Sequence, residues 1–351
     1  MIKPILLLSF AAIFAADTQL ATDYSAEKAF KVEMASTIAM RTTSSSIEVD
    51  GEPVEGRGGM GDMASSQTRK AEFIDKIVSA KDGKATSLTR EFATLAGATT
   101  SSFGGEENTR ELDPPLSGIT LSLERAENGD VEAKVVEGTA PADDAVLQGH
   151  RMDLALDALL PEEAVADGAS WEPSKEAVRR ALMLDMEKAL FPRPAPVEGE
   201  GRGAGGGGGG GGRSRGGMGG GDGRLLDLAE WEAKATLTEE SAEKDGVTCR
   251  VIAIELNATG DLPEPEARAG GRRGQAFGLP SEPAFLGTSY KIELEGKLYF
   301  STADKRPVAF EIEGNLSQET DTERPGRDGA TMRIRSTREG TYKQTVSISR
   351  P

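Results

Sequence analysis

The sequence predicts a mainly β fold: two antiparallel β-meander halves, curved like half-barrels, joined by a helix and a glycine-rich disordered linker. Three observations predict it. Apolar and polar residues alternate over long stretches on both sides of the chain's middle, the period of strands with one buried face. Asp82-Gly83, Asn128-Gly129 and Asp245-Gly246 fall between such stretches, and each supplies two residues that tolerate the positive φ of a tight hairpin turn. Leu159 to Trp171, LLPEEAVADGASW, interrupts the alternation with a proline, a turn glycine and an aromatic anchor. There the chain passes from one half into the other.

Taken in order, Lys3 and the apolar run Ile5–Ala16 come before Asp17 and a polar stretch. That is the order of a secretory signal over residues 1–16, too short to span a bilayer. With cleavage near Ala15 or Ala16, an exported, secreted or periplasmic protein follows, with no integral membrane segment left after removal. The single cysteine, Cys249, provides neither a lipid-attachment site after the signal nor an intramolecular disulfide, and is expected as a small buried residue.

The N-terminal β-rich half is placed at 24–198. Phe30, Val32, Met34, Ile38 and Met40 occupy alternate positions of a long half-buried strand, and Ile47 with Val49 suggest a second. Gly56 to Met63 is too glycine-rich for a ladder and reads as a hairpin tip. Arg69–Ala80 and Lys84–Leu95 flank Asp82-Gly83, while Ile119, Leu121 and Leu123 face Val131, Ala133 and Val135 across Asn128-Gly129. Between Asp143 and Leu160 a short helix is favoured over a strand. Pro173 suits the first turn of a helix over about 173–190, with Val178, Ala181, Leu182, Met186, Ala189 and Leu190 on one face. Pro192, Pro194 and Pro196 stop it.

Residues 199–224 are low in complexity, with unbroken glycine from Gly205 to Gly212, and are expected as a disordered linker. The C-terminal antiparallel half is placed at 225–351. Trp231, Ala233, Ala235 and Leu237 alternate, turn at Asp245-Gly246 and return through Cys249, Val251 and Ala253. Ile252, Ile254 and Leu256 occupy that returning strand's other side, so it should be covered on both faces. Ala267–Gly278 reads as a long loop. Tyr290, Ile292, Leu294, Leu298 and Phe300 turn at Asp304–Pro307 into Val308, Phe310 and Ile312, and Met332 with Ile334, then Val346 with Ile348, supply final strands. A pseudo-duplicated architecture and a single large curved sheet both accommodate this plan.

Three stretches, Ile74–Phe92, Leu159–Trp171 and Glu295–Gly314, carry a resemblance. Their order is similar to that of uncharacterised secreted bacterial proteins, in which a β-meander with an Asp-Gly hairpin and an Arg-Glu-Phe-like strand precedes a leucine-proline, glycine and tryptophan junction. The resemblance implies a β-rich fold and export; it implies no activity and no site.

Composition narrows the chemistry. With 351 residues, a net charge of -17, 37% hydrophobic and 5% aromatic residues, the chain can bury a modest core in one or two domains. The acidic balance repels phosphate backbones and disfavours nucleic acid. His150 is the only histidine, and no GxSxG stretch accompanies it, which argues against a histidine-based hydrolase. One cysteine and one histidine disfavour zinc. The pairs Glu106-Glu107, Asp143-Asp144, Glu162-Glu163 and Glu239-Glu240 lack the spacing of a calcium loop and read as solvated surface. The long glycine run has no Gly-Lys-Ser or Gly-Lys-Thr after it, so it is not a phosphate loop.

No catalytic residue, metal ligand or cofactor site is therefore assigned. The expectation is a non-catalytic envelope module, binding or structural, with an apolar or lipid-like ligand or an envelope protein as partner. Phe30, Met34, Ile38, Met40, Tyr290, Leu294, Leu298 and Phe300 are the candidate lining of an apolar face. A carboxylate-dependent hydrolase of envelope polymers and a scaffold using its glycine- and arginine-rich loops are the alternatives.

Overall fold

A computed structural model describes residues 17–54, 63–192, 221–262, 284–325 and 330–351. Among these, thirteen strands make one open antiparallel sheet. They are β1 (Ala29–Val49), β2 (Glu52–Pro53), β3 (Ala64–Lys81), β4 (Lys84–Phe103), β5 (Glu106–Leu112), β6 (Thr120–Arg125), β7 (Val131–Glu137), β8 (Ser170–Trp171), β9 (Trp231–Lys244), β10 (Val247–Asp261), β11 (Ala284–Ser301), β12 (Arg306–Pro325) and β13 (Thr331–Ser349). Their order across the sheet is β7-β6-β4-β3-β1-β13-β12-β11-β10-β9-β8, with β2 added to β1 and β5 to β4.

Both halves are meanders, and the fold is mainly β as the alternation predicts. What alternation could not show is that the two meanders are one sheet. The first long strand pairs with the last, from Lys31 opposite Ser349 to Val49 opposite Met332. Two hairpins close directly on their turn dipeptides, Lys81 meeting Lys84 and Lys244 meeting Val247; Asn128-Gly129 instead lies within a longer connection, Ala126–Asp130, between the paired Arg125 and Val131, and only Gly129 there has positive φ. Asp82 and Asp245 adopt φ of 52° and 51° with glycine following, the conformation that Asp-Gly turns select.

Several expectations are corrected. Ile47 and Val49 continue β1 across an irregularity between Thr42 and Ser44, instead of forming a second strand. Met332, Ile334, Val346 and Ile348 belong to a single strand, β13. The helix over 173–190 is two short ones, α1 (Lys175–Ala181) and α2 (Glu187–Leu190). The break lies at Met183, φ 56°, where Met183 N–H bonds Arg180 C=O and Leu184 N–H bonds Arg179 C=O. This helix stop normally uses glycine; here burial of Met183 in the core compensates the left-handed backbone. Residues 221–224, the end of the expected linker, open a third helix, α3 (Gly221–Leu228). Between Asp143 and Leu160 two 3-10 turns form, Asp144–Leu147 and Ala155–Leu159. The expected signal peptide, the linker up to residue 220, the Ala267–Gly278 loop and all of the Gly56–Met63 tip except Met63 lie outside the described residues.

The 3-10 turns and helices cover one face of the sheet. Leu88, Phe92, Leu298 and Phe310 from strands and Leu156, Leu159, Val178 and Leu190 from the cover share one continuous core. A smaller cluster, Cys249, Val251, Tyr299, Val308 and Ala309, lies on the opposite face. β10 is accordingly buried on both sides from Cys249 to Ile252, with Glu255 and Asn257 exposed farther along, and Cys249 is buried as expected. The outer faces of β11, β12 and β13 otherwise expose Lys291, Glu293, Glu295, Lys297, Glu311, Glu313 and Lys343.

Three glycines step diagonally across this sheet: Gly296 opposite Ile312, Gly314 opposite Leu294 and Tyr342, and Gly340 opposite Leu316 and Met40. A Cβ would stand 2.3 Å from the Glu311 carbonyl oxygen at Gly296, 2.0 Å from that of Glu293 at Gly314 and 2.0 Å from that of Ala39 at Gly340. Backbones approach there more closely than any side chain allows. Gly340→Ala and Gly314→Ala are each expected to lower unfolding free energy by about 3 kcal/mol or more, the scale of overpacking against fixed backbone. Urea midpoints at unchanged slope check this.

Candidate functional site

Strand alternation puts Phe30, Met34, Ile38 and Met40 of β1 on the covered face, and Tyr290, Leu294, Leu298 and Phe300 of β11 on the same face; all eight are buried in the common core. The two groups do not touch as neighbours, because β13 and β12 lie between them. Tyr342, Val346, Phe310 and Ile312 fill that interval. Beside the β1 group a cavity of about 20 Å³ remains, walled by Met34, Ile38, Leu182, Met183, Leu190, Phe191 and Tyr342. That is room for about one water molecule.

Polar ties hold the cover to the sheet around this cavity. Arg69 of β3 pairs with Glu187 of α2 at 2.5 Å and its guanidinium lies 5.6 Å from the Phe191 ring centre. Gln344 of β13 donates to the Ala181 carbonyl at 3.2 Å and accepts from the Tyr342 hydroxyl at 2.6 Å; burial pushes that phenol's pKa well up. Within the cover, Arg151 pairs with Asp185 at 2.5 Å, Arg179 with Asp227 at 2.6 Å, and Arg180 with Asp153. Arg151 and Asp153 are thus members of a network of ion pairs.

A fully buried ion pair lies deeper. Asp75 of β3 and Arg90 of β4 are each 2% exposed and pair through two bonds of 2.6 and 2.7 Å. Arg90 also donates to the Arg151 carbonyl at 2.9 Å and stacks 4.6 Å from the Phe73 ring centre. A legible signal for the pair existed: Asp75 stands between Phe73 and Ile77, and Arg90 between Leu88 and Phe92, at inward positions of the two arms of one Asp-Gly hairpin. His150, also buried, contacts the Val146 carbonyl through Nε2 at 3.1 Å. A carbonyl only accepts, so Nε2 carries the proton. Burial foremost, then the Arg90 charge, pushes its pKa down to about 4.

Asp157, on the second 3-10 turn, is the carboxyl that sequence reading missed, since no periodicity marks its position. It accepts from Thr22 Oγ1 at 2.5 Å and from the Tyr24 hydroxyl. Burial pushes its pKa up to about 6 against the effect of these donors. The acidic pairs Glu106-Glu107, Asp143-Asp144, Glu162-Glu163 and Glu239-Glu240 are exposed, as expected. Among the described residues no three His, Cys, Asp or Glu side chains gather as a metal site. Trp171 donates to the Leu159 carbonyl at 2.9 Å, fastening the junction. On the outer face a groove of about 790 Å³ runs over Ala39, Ser66, Thr341 and Asn315, edged by Arg41, Lys291, Glu107 and Glu339.

No protein-family model matches this chain, and no curated protein does. Two solved structures align along nearly the whole length. The outer membrane protein OprG from Pseudomonas aeruginosa is 7% identical over 94% of this chain and 100% of its own, with a TM-score of 0.23. An outer membrane channel from Pseudomonas putida F1 is 9% identical over 93% of this chain and 98% of its own, with a TM-score of 0.16. At these scores nothing about transport or membrane insertion follows. No helix among the described residues is long and apolar enough to cross a membrane.

Two substitutions test the buried charges. Arg90→Met strands the Asp75 carboxylate and is expected to cost about 3–5 kcal/mol, while Arg90→Met with Asp75→Leu recovers most of it; urea unfolding of both variants decides. His150 has its folded pKa depressed, so its contribution is complete above about pH 6.5 and is lost as pH falls toward about 4. His150→Phe should therefore remove about 3 kcal/mol of the stability difference between about pH 7 and pH 4, read from paired unfolding curves.

Proposed function

We propose that this chain is an exported, non-catalytic β-rich binding module of the cell envelope, which takes an apolar or lipid-like ligand on the covered face of its sheet. Export is supported by the Lys3 and Ile5–Ala16 pattern. The observation that carries the ligand reading is the nature of the cover. From Phe30 on β1 to Phe300 on β11 the sheet presents one continuous apolar face. Among the described residues, 3-10 turns and helices of at most eight residues lie over it, tied down by side-chain ion pairs, and of these residues only the two of β8 join the sheet by strand pairing.

Such a cover can be displaced without undoing the ladder beneath it. Methionine at the contact favours repacking: Met34 on the sheet lines the same small cavity as Met183 of the cover, which also buries Met152 and Met186. Unbranched thioether side chains fill irregular space and adapt to different partners. Phe30, Met34, Ile38 and Met40 with Tyr290, Leu294, Leu298 and Phe300 would then line the exposed face. The net charge of -17 repels nucleic acid and is compatible with an uncharged ligand.

Native mass spectrometry of the chain from Asp17 onward, purified without detergent from its own envelope fraction, tests this reading. A reproducible extra mass released by organic solvent is expected. Arg69→Gln with Glu187→Gln, which unties α2 from β3, should raise uptake of an uncharged fluorescent lipid analogue several-fold. A clean apo mass together with no uptake by either form would sink the reading.

A further inference from the structure

The strap Asp17–Lys28, which leads into β1, touches three parts of the molecule. Thr18 and Val165 exchange backbone bonds of 2.8 and 3.1 Å at the junction. Asp23 N–H donates to the Lys305 carbonyl at 2.9 Å, in the turn between β11 and β12. Ile77 of β3 accepts from Glu27 N–H at 3.0 Å and donates to the Lys28 carbonyl at 2.8 Å. Between these points Leu20 and Tyr24 sink into the core, with the Tyr24 ring edge-on to Phe30 at 5.9 Å.

At the centre stands Asp157. Its hydrogen-bond partners are two neutral hydroxyls, Thr22 Oγ1 and Tyr24 OH, and the Tyr24 hydroxyl in turn accepts from Leu154 N–H at 2.6 Å. The neighbouring charges are committed elsewhere. Arg180 of α1 is bound to Asp153, which Arg125 of β6 also faces at 3.7 Å. Arg306 of β12 holds Asp304 and the Ile348 carbonyl, and Asp23 of the strap is paired with Lys28 at 2.5 Å. An ionised carboxylate here would be partly buried with hydroxyl donors and no cation of its own, an unfavourable placement compared with water.

We propose that Thr22, Tyr24 and Asp157 form a clasp that closes the N-terminal strap over the cover more tightly in mild acid than at neutral pH. Protonation removes the buried charge and leaves a carboxylic acid able to bond the same two hydroxyls. The direction follows from linkage. With the strap closed, Asp157 holds its proton up to about pH 6, pushed there by burial first, with the repulsion of Asp153 adding and Arg180 opposing. With the strap released it returns to an ordinary aspartate near about 3.9. Closure is then strongest below about pH 4, weakens as pH rises and levels off above about pH 6. The whole span is about 100-fold in the closing constant, and the interval from about pH 5 to pH 7 carries about tenfold of it.

Amide hydrogen exchange of the full chain, corrected for the intrinsic pH dependence of exchange, reads this directly. Thr18 and Asp23 amides in the wild type are expected to be about tenfold better protected at about pH 5 than at pH 7, and Asp157→Asn to abolish the difference. Tyr24→Phe should lower strap protection at both pH values. A carboxyl carbon NMR titration of the wild type supplies a readout independent of any variant, with a midpoint near about pH 6 expected for Asp157. Equal protection at the two pH values, an unaltered pH difference in Asp157→Asn, or an Asp157 midpoint near about 4 would overturn the proposal. No ligand enters these measurements, so their failure and the failure of the ligand reading are separate results.

Discussion

Every long strand takes its place from the seam between β1 and β13, where Lys31 stands against Ser349 at one end and Val49 against Met332 at the other. Each meander by itself would carry a free edge some twenty residues long, a template for unwanted pairing. Joined at those edges, the two halves end at the seven-residue β7 and at β9, of which the two-residue β8 pairs only Thr236 and Ala235. The seam also merges the inward-facing residues of both halves. Met34 of β1 meets Val346 of β13, and Val346 meets Phe310 of β12, so a single face must be covered, not two.

Covering that face falls to the chain between β7 and β9. Its described residues are built of short turns and helices, and their position depends on what lies beneath. Arg69 reaches Glu187, Gln344 reaches the Ala181 carbonyl, and Arg90 reaches the Arg151 carbonyl. Each tie links a sheet side chain to the cover, so the polar groups sunk in the core specify where the cover sits. Burying the Asp75–Arg90 pair gains little net stability over an apolar pair, but it requires one registration of β3 against β4 and one place for the loop carrying Arg151. Asp157 extends the same logic to the strap, through neutral donors in place of a cation.

Much of the sheet was legible because its causes are local. The alternation of Phe30 through Met40, the dipeptides Asp82-Gly83 and Asp245-Gly246, and the two-sided apolar pattern of Val251 to Leu256 each act within a few residues. The broken helix was not legible, since Met183 is held in a left-handed conformation by core burial that its neighbours do not announce. The grouping of Phe30, Met34, Ile38 and Met40 with Tyr290, Leu294, Leu298 and Phe300 was legible as a shared inward face. That two further strands stand between them was not. The Asp75–Arg90 pair lay half in view, as opposite charges at inward positions of one hairpin, whereas Asp157 occupies a turn without any period to mark it.

The sequence by itself determined the strand content, the Asp-Gly hairpin turns and the burial of Cys249, because pattern and turn geometry are properties of short stretches. Only the tertiary structure decided that the halves form one sheet, that its apolar face is filled by the chain's own middle segment, and that Asp157 meets Tyr24. Those outcomes join residues more than a hundred positions apart. Backbone pairing and burial at such distances are settled by competition among all the strand edges and apolar faces at once, and no local spacing encodes the winner.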